Sequence, residues 1–379
     1  MSLVVDEHRQ YLADTARVDA FDRALKAVVR PGDVVLDLAS GTGILGLLAC
    51  RAGAGRVYAI EMEPIVELAR QIASDNGFAD RIVCIQAVST RATLPEPVDL
   101  IVTDGAGRFG FEAGLLETLP DARRRFLKPG GRTIPSALTL WLAPVEADEP
   151  RAHVDFWAQP VQGLSFAAAH AIARSTGYPR HFTTHELLAE PAALMTLDPS
   201  RETPLLSGRV ELRIRRDATL HGIGGWFSAT LAPGVELTNA PDAPGRINRR
   251  NVFFPLHDPV IVAAGDRVTV SMRIRPASLL VGWHVEVRGG ADGHLRHTTG
   301  ASTFEGMLIS REDMARTRPT FQPALTPAGL ARRTVLDLCD GARSLADIER
   351  EMWHRHPALF RDRDAAAAFV AEVVTRYAT

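Results

Sequence analysis

The sequence predicts an α/β domain with a parallel sheet, followed by an antiparallel β domain and a small helical domain. Up to about residue 135, apolar runs of strand length alternate with segments of helical periodicity, which is typical of a parallel sheet covered by helices. From about residue 136, apolar and polar residues alternate with a period of two, as in residues 210–214 and 268–274, which predicts half-buried antiparallel strands. Beyond about residue 316, apolar residues return to helical spacing.

Length and composition agree with this division. The chain has 379 residues, of which 46% are hydrophobic, so it is long enough for two or three cores. We expect a first domain at residues 1–135, a second at 136–315 and a third at 316–379.

Each domain has its own predicted elements. The first has strands near residues 34–38, 56–60, 82–86 and 100–103, with helices between them. In the second, residues 166–200 read as helical or irregular and are a candidate arm, while the turn-rich residues 239–248 predict a loop that faces the first domain. In the third, residues 326–379 predict three helices.

Charge and cysteine usage exclude several classes of partner. The net charge of −2 gives no electrostatic reason to bind nucleic acid. No apolar run is long enough to span a bilayer and no signal peptide is evident, so we expect a cytoplasmic protein without a membrane partner. The three cysteines lack metal-binding spacing and are expected to be reduced; His181 and His185 lack a third ligand, so no metal is expected.

Residues 34–61 have the pattern of a nucleotide-binding unit, in which a strand, a glycine-rich turn, a helix and a second strand are followed by an acid. Gly41 and Gly43 let the backbone approach a ligand at the start of the helix, and Ser40 belongs to the same turn. Glu61 follows Gly41 by 20 residues, at the end of the second strand, where a carboxylate can accept both ribose hydroxyls.

Two observations favour S-adenosylmethionine (SAM) over NAD, although residues 41–46 also read as the dinucleotide fingerprint G-x-G-x-x-G. Asp37 lies inside the first strand, where it can help to hold the cationic amino-acid end of SAM but would repel a pyrophosphate. Residues 98–105 and 127–131 fall where class I methyltransferases carry their fourth-strand motif and the turn after the next helix. The sequence therefore favours a Rossmann-like SAM-binding domain over NAD binding or a purely structural glycine turn.

The chain resembles the protein arginine methyltransferases and looks like a divergent, bacterial-type member of that family. The likeness is carried by residues 34–61, VDLIVTDG, LKPGGRTIPSALTLWLAPVE and NVFFPLHDPVIVAAGDRV. The resemblance implies a C-terminal β-barrel and a homodimer formed through an arm at residues 166–200. It also implies that Arg17 faces the carboxylate of SAM and Glu61 its ribose, with Met62 near the adenine and Ser89 or Thr90 near the adenine amino edge.

The acceptor loop, residues 103–112, departs from the family pattern. The family binds the substrate guanidinium with two glutamates; here Asp104 replaces the first, and Ala113 stands at the second position, with Glu112 one residue early. We expect Asp104 and Glu112, the only acids in this loop, to bind the acceptor, with one able to serve as base. The alternative is that Asp104 caps the following turn and Glu112 is a solvated acid at a helix start.

A second departure adds positive charge. Residues 246–248, Arg-Ile-Asn, replace the threonine, histidine and tryptophan of the family, and Arg108 adds a cation to the acceptor loop. Like-charge repulsion from Arg108 and Arg246 counts against a cationic acceptor and would suit a carboxylate or phosphate on another acceptor.

The C-terminal segment resembles the small winged-helix domains called RiPP recognition elements, over about 50 residues that include VLDLCDGARSLADIEREM. The resemblance implies capture of a leader peptide. The alternative is a helical cap packed on the barrel.

Three functions are compatible with the sequence. The first is SAM-dependent N-methylation of a guanidino or amino group on a peptide, protein or small metabolite, with S-adenosylhomocysteine as product. The second is methylation of an oxygen, carbon or non-arginine nitrogen. The third is a SAM-binding scaffold that recruits a peptide without catalysis.

Overall fold

A computed structural model describes residues 4–378. The chain divides into two compact units, with the boundary between residues 307 and 308. The first unit contains both the α/β part and the antiparallel β part. The three domain ranges expected from the sequence, 1–135, 136–315 and 316–379, stay predictions.

The α/β part is built on a five-stranded parallel sheet. Its strands are β1 (Val34–Leu38), β2 (Arg56–Glu61), β3 (Ile82–Gln86), β4 (Val98–Val102) and β5 (Leu127–Ile134), in the order β3-β2-β1-β4-β5. The accompanying helices are α1 (Val4–Ala13), α2 (Thr15–Val28), α3 (Ile44–Arg51), α4 (Ile65–Asp75) and α5 (Leu115–Phe126). The parallel α/β prediction is confirmed, and each predicted strand agrees with an observed one to within two residues at either end.

The strand order places a ligand site at one edge of this sheet. From β1 to β3 the chain adds strands toward one edge of the sheet, and with β4 and β5 it adds them toward the other. The switch lies between β1 and β4, which are parallel neighbours. In open α/β sheets, ligands bind outside the carboxyl ends of the strands at such a switch point. The glycine turn after β1 and the acceptor loop after β4 both leave the sheet there.

The antiparallel part contains ten strands within the described residues. They are β6 (Ala137–Val145), β7 (Tyr178–Arg180), β8 (Ala192–Leu197), β9 (Leu206–Arg213), β10 (Ala218–Ala232), β11 (Val235–Thr238), β12 (Asn251–Val262), β13 (Arg267–Arg275), β14 (Leu280–Arg288) and β15 (Leu295–Ser302). One sheet has the order β7-β12-β10-β6-β8 with β11 added on β10, and the other has the order β15-β14-β13-β9. The predicted antiparallel β domain is confirmed.

The long strand β10 carries the acceptor loop on its surface. A Cβ atom on Gly225 would lie 2.9 Å from Cε2 of Phe109, so the glycine makes room for this ring. Phe109 is fully buried and packs against Phe254 of β12, with ring centroids 5.6 Å apart. The acceptor loop is therefore fixed by the antiparallel sheet as well as by β4.

The helical segment expected as an arm at residues 166–200 lies earlier in the chain than predicted. β7 pairs with β12 and β8 pairs with β6, so two stretches of the predicted arm belong to a sheet. The helical excursion between β6 and β7 begins earlier, with α6 (Asp148–Asp155), and continues through α7 (Ala167–Ala173). Short strands such as β7 are specified by their neighbours in the sheet, which explains why the local pattern missed them.

The regular secondary structure in the described residues of the second unit, 308–378, is helical, with α8 (Arg311–Arg316), α9 (Pro327–Leu338), α10 (Leu345–Arg355) and α11 (Arg363–Tyr377). The three helices predicted in residues 326–379 are confirmed, and they share a core that includes Val335, Met352 and Val370. The winged-helix likeness is not confirmed and stays a prediction. Residues 308–378 contain no strand that could form a wing.

Among residues 4–378, no helix is both long enough and apolar enough to cross a membrane.

Candidate active site

The turn after β1 brings backbone to the edge of the sheet. Gly41 and Gly43 have φ of +54° and +80°, in the left-handed region that favours glycine. Gly43 is the N-cap of α3, whose first backbone N–H groups lack partners within the helix. A Cβ atom on Gly41 would lie 2.5 Å from Cε1 of His8, so this ring of α1 covers the turn closely.

Asp37 is fully buried beneath the turn and lacks one hydrogen-bond partner. Its Oδ2 accepts from the backbone N–H of Gly46 at 2.8 Å. Among the described residues, neither Oδ1 of Asp37 nor Oγ of Ser40 has a partner, although both atoms are buried. Burial raises the pKa of Asp37 to about 7. Buried polar atoms are normally hydrogen-bonded, and the ammonium group of SAM is a donor that would suit Oδ1 of Asp37.

Glu61 spans the turn and the chain after β2. Its Oε2 accepts from the backbone N–H of Gly41 at 2.9 Å, and its Oε1 from that of Glu63 at 3.0 Å. Each carboxylate oxygen can accept a second hydrogen bond, so the side chain can still receive two hydroxyls. The observed position of Glu61 is consistent with the ribose contact expected for it.

The residues expected near the adenine lie on the neighbouring strand ends. Met62 follows β2 directly and is 58% exposed. Ser89 and Thr90 lie in a short 3-10 helix after β3, where the carbonyl oxygen of Ser89 accepts from Nη2 of Arg125 at 2.5 Å. Because β2 and β3 are adjacent, these three residues lie along the same end of the sheet as Glu61.

Arg17 is buried in the first turn of α2 and forms an ion pair with Asp104 through Nε. Its Nη1 reaches the carbonyl oxygen of Tyr11 at 3.4 Å. The start of α2 is fixed by Asp14, whose side chain accepts from the N–H of Arg17 at 3.3 Å and from that of Asn248 at 2.7 Å. This second contact confirms that the loop at residues 239–248 faces the α/β part. The sequence did not predict that Arg17 binds Asp104; contact with the SAM carboxylate stays a prediction.

Asp104 also binds a second guanidinium, that of Arg249. Nη1 of Arg249 donates to Oδ1 at 3.2 Å, and Nη2 donates to Oδ2 at 2.9 Å. Only 8% of the Asp104 side chain and 15% of the Arg249 side chain are exposed. Burial would raise the pKa of Asp104, but the charges of Arg249 and Arg17 outweigh it and hold this pKa below its ordinary value. The partners of Asp104 are therefore arginines, which contradicts a turn-capping role.

Glu112 turns back beneath its own loop. Its carboxylate accepts from the backbone N–H groups of Phe109 at 2.8 Å, Arg108 at 3.0 Å and Phe111 at 3.4 Å. Burial raises the pKa of Glu112 despite these bonds. This contradicts the alternative of a solvated acid. Among the described residues, Glu112 and Asp104 have no hydrogen-bond partner in common.

The cation beside Asp104 differs from those expected. Arg108 is exposed, and Nη1 of Arg246 donates to the carbonyl oxygen of Phe182 at 3.2 Å rather than to Asp104. Asn239 joins the two sides of the site, because its Nδ2 donates to the carbonyl oxygens of Arg108 at 2.8 Å and Arg250 at 3.0 Å. Sequence reasoning missed Arg249, and its position directly after the altered residues 246–248 was the available signal.

Known proteins are similar to the chain over both parts of the first unit. The family model described as ribosomal protein L11 methyltransferase matches residues 22–139, and the arginine methyltransferase oligomerization subdomain matches residues 136–280. An arginine N(omega)-methyltransferase of Streptomyces achromogenes is 33% identical over 277 residues, which cover 70% of this chain and 75% of that protein. Protein arginine N-methyltransferase 6 of Xenopus tropicalis is 28% identical over 291 residues, covering 73% and 85%.

Two solved structures share the fold. The Trypanosoma brucei PRMT1 enzyme–prozyme complex with AdoHcy matches with a TM-score of 0.71 at 23% identity, covering 78% of this chain and 97% of that one. Arabidopsis thaliana protein arginine methyltransferase 10 matches with a TM-score of 0.70 at 22% identity and the same coverage. The methyltransferase prediction and SAM as cofactor are confirmed, and NAD and a non-catalytic scaffold are not favoured. The chain belongs to the arginine methyltransferase family of SAM-dependent methyltransferases.

Proposed function

We propose that this enzyme N-methylates a guanidino group of a peptide, a protein or a small metabolite, with Asp104 as the acid that binds the acceptor. The supporting observation is the fork-to-fork pairing of Asp104 with Arg249, in which a buried carboxylate with a lowered pKa accepts from both ends of a guanidinium. The names of the relatives support the same chemistry.

Residues around the glycine turn are proposed to hold the cofactor. Asp37 would bind the ammonium group, Arg17 the carboxylate and Glu61 the ribose. Ser40, Gly41 and Gly43 would line the cofactor along the turn, while Met62, Ser89 and Thr90 would lie around the adenine. When bound, SAM supplies a methyl group on a positively charged sulfur, and its transfer to the acceptor nitrogen leaves S-adenosylhomocysteine.

Asp104 orients the acceptor and does not take its proton. A carboxylate that binds two guanidinium nitrogens draws positive charge toward them, which leaves the third nitrogen richer in electrons. Because Arg17 and a guanidinium bound to both oxygens favour the charged form of Asp104, its pKa is held low and this group is a poor base; the proton lost on methylation passes to solvent. Glu112 acts as a positioning residue, since it fixes the loop that carries Asp104.

We also propose a homodimer formed through residues 148–177. The oligomerization subdomain match spans this excursion. Several large apolar side chains on it are exposed, among them Phe156 at 53%, Leu164 at 65% and Phe166 at 42%. Apolar side chains exposed together mark a protein contact.

Labelled SAM tests the proposed function. The purified protein is incubated with SAM carrying a deuterated methyl group and a cell extract, and labelled products are identified by tandem mass spectrometry. We expect label on guanidino groups and none with the Asp37→Ala variant. Label confined to oxygen or carbon atoms would overturn the proposal.

A further inference from the structure

The carboxylate of Asp104 already has all the guanidinium contacts that an acceptor would make. Its Oδ1 accepts from Nη1 of Arg249, and its Oδ2 accepts from Nη2 of Arg249 and from Nε of Arg17. Because Oδ2 already accepts two hydrogen bonds, a guanidino acceptor that binds both oxygens of Asp104 must displace one of these arginines.

Arg249 is the arginine that an acceptor would displace. Arg17 lies within α2, whose start is fixed by Asp14. The guanidinium carbon of Arg17 lies 5.6 Å from the centre of the Phe21 ring. Arg249 lies in the loop before β12, outside any helix or strand. Beyond Asp104, its guanidinium donates from Nη1 to the carbonyl oxygen of Gly107 at 3.3 Å and lies 5.9 Å from the centre of the Phe227 ring. The guanidinium of Arg249 also presents the same fork that a substrate would present.

Displacement of Arg249 from Asp104 leaves a positive charge without its partner. Asp104, Arg17 and Arg249 together carry a net charge of +1, and all three side chains are largely buried. A cationic acceptor that takes Asp104 leaves Arg249 without a counter-charge in a poorly solvated place, which is costly. An acceptor that brings its own carboxylate removes this cost, because Arg249 can exchange one carboxylate for another.

We propose that Arg249 selects acceptors that carry a carboxylate close to the guanidino group. The acceptor guanidinium takes Asp104, and the acceptor carboxylate takes Arg249. Free arginine has both groups, and so does a peptide arginine followed by an acidic residue. Agmatine, which is arginine without its carboxylate, has only the first. This inference rests on the proposed function, since it assumes a guanidino acceptor at Asp104.

Equilibrium binding to protein saturated with S-adenosylhomocysteine tests the inference without relying on turnover. The probes are L-arginine against agmatine, and the peptide acetyl-Gly-Arg-Glu-amide against acetyl-Gly-Arg-Gln-amide. For the wild-type protein we expect the carboxylate-bearing member of at least one pair to bind about tenfold more tightly or better. The pair that responds distinguishes a free amino acid from a peptide acceptor.

Variants at position 249 identify the residue responsible. Arg249→Met and Arg249→Gln should bring the ratio of dissociation constants close to one, mainly by tightening agmatine or the Gln peptide. Arg249→Lys keeps the cation and should keep the preference. Arg250→Met, at the exposed neighbouring residue, is the matched control and should leave the ratio unchanged. Melting curves establish that each variant is folded.

Several results would overturn the inference. They are equal wild-type affinity within both pairs, no binding of any probe, a preference that survives both charge-removing variants, and a parallel loss of affinity for both members of a pair. If guanidino nitrogens are methylated in extract but the preference is absent, only this inference fails. If the probes bind as expected but the methyl group is found on other atoms, the proposed function fails.

Discussion

The guanidinium of Arg249 lies fork to fork against the carboxylate of Asp104, with Nη1 3.2 Å from Oδ1 and Nη2 2.9 Å from Oδ2. Arg17 completes a buried group of three charges with a single acid at its centre. Such a group is sensitive to the loss of its acid, because two cations then remain in a poorly solvated place.

A double-mutant cycle measures this relationship. Asp104→Asn should lower the free energy of unfolding by about 3–5 kcal/mol, since it strands both arginines. Adding Arg249→Met should recover part of that loss, because one of the two stranded charges is gone. Urea unfolding of the wild type, both single variants and the double variant gives the coupling. Additive effects within error would show that the two side chains do not stabilise each other.

The pKa of Asp37 predicts how stability depends on pH. Burial raises this pKa from 3.8 to about 7, so the folded protein keeps a proton that the unfolded chain releases. The stabilisation is complete below pH 3.8 and is lost as the pH rises to about 7. Between pH 5 and pH 8 the cofactor-free wild type should therefore lose roughly 3 kcal/mol more stability than Asp37→Asn. Urea unfolding at both pH values checks this; equal losses would contradict the raised pKa.

Cofactor binding should reverse the protonation of Asp37. The ammonium group of SAM beside the carboxylate favours its charged form, so binding near pH 7 should release a proton. Calorimetric titration in buffers of different ionisation enthalpy measures the release. Asp37→Asn should bind SAM more weakly and release no proton. Proton release that persists in this variant would assign it to another group.

Glu112 is expected to act through the loop rather than on the acceptor. Glu112→Ala removes the acceptor of three backbone N–H groups and should lower the free energy of unfolding by about 2–4 kcal/mol. Glu117→Ala is the control, because the buried Oε1 of Glu117 has no partner among the described residues. Thermal and urea unfolding distinguish the two. Full stability combined with lost methylation would instead place Glu112 on the acceptor.

The exposed apolar side chains between α6 and α7 predict the oligomeric state. The wild type should sediment as a dimer, and the Leu164→Glu, Phe166→Glu double variant as a monomer, because charge disfavours burial in an apolar contact. Leu295→Glu, at an exposed leucine of β15, is the matched control. A wild-type monomer at micromolar concentration, or a double variant that stays dimeric, would contradict the proposed arm contact.

The sequence predicts the α/β part well because its signals are local. Strands β1 to β4 are short apolar runs, and the cofactor turn is marked by glycines at fixed offsets from Asp37 and Glu61. The acceptor contact expected for Glu112 stays a prediction; its backbone partners could not be foreseen, because their direction depends on the loop conformation. Arg249 was missed because its partner is 145 residues away, and only the folded chain brings them together. The bounds predicted for the arm were wrong for a similar reason, since β7 is recognisable as a strand only from its pairing with β12.

The position of the transferred methyl group tests the central claim most directly. The protein is incubated with SAM labelled in its methyl carbon and a cell extract whose arginine guanidino nitrogens are isotopically labelled, and the products are examined by nuclear magnetic resonance. We predict one-bond coupling between the methyl carbon and a guanidino nitrogen, and its disappearance with the Asp37→Ala variant. A labelled methyl group that shows no such coupling would contradict methylation of a guanidino acceptor at Asp104.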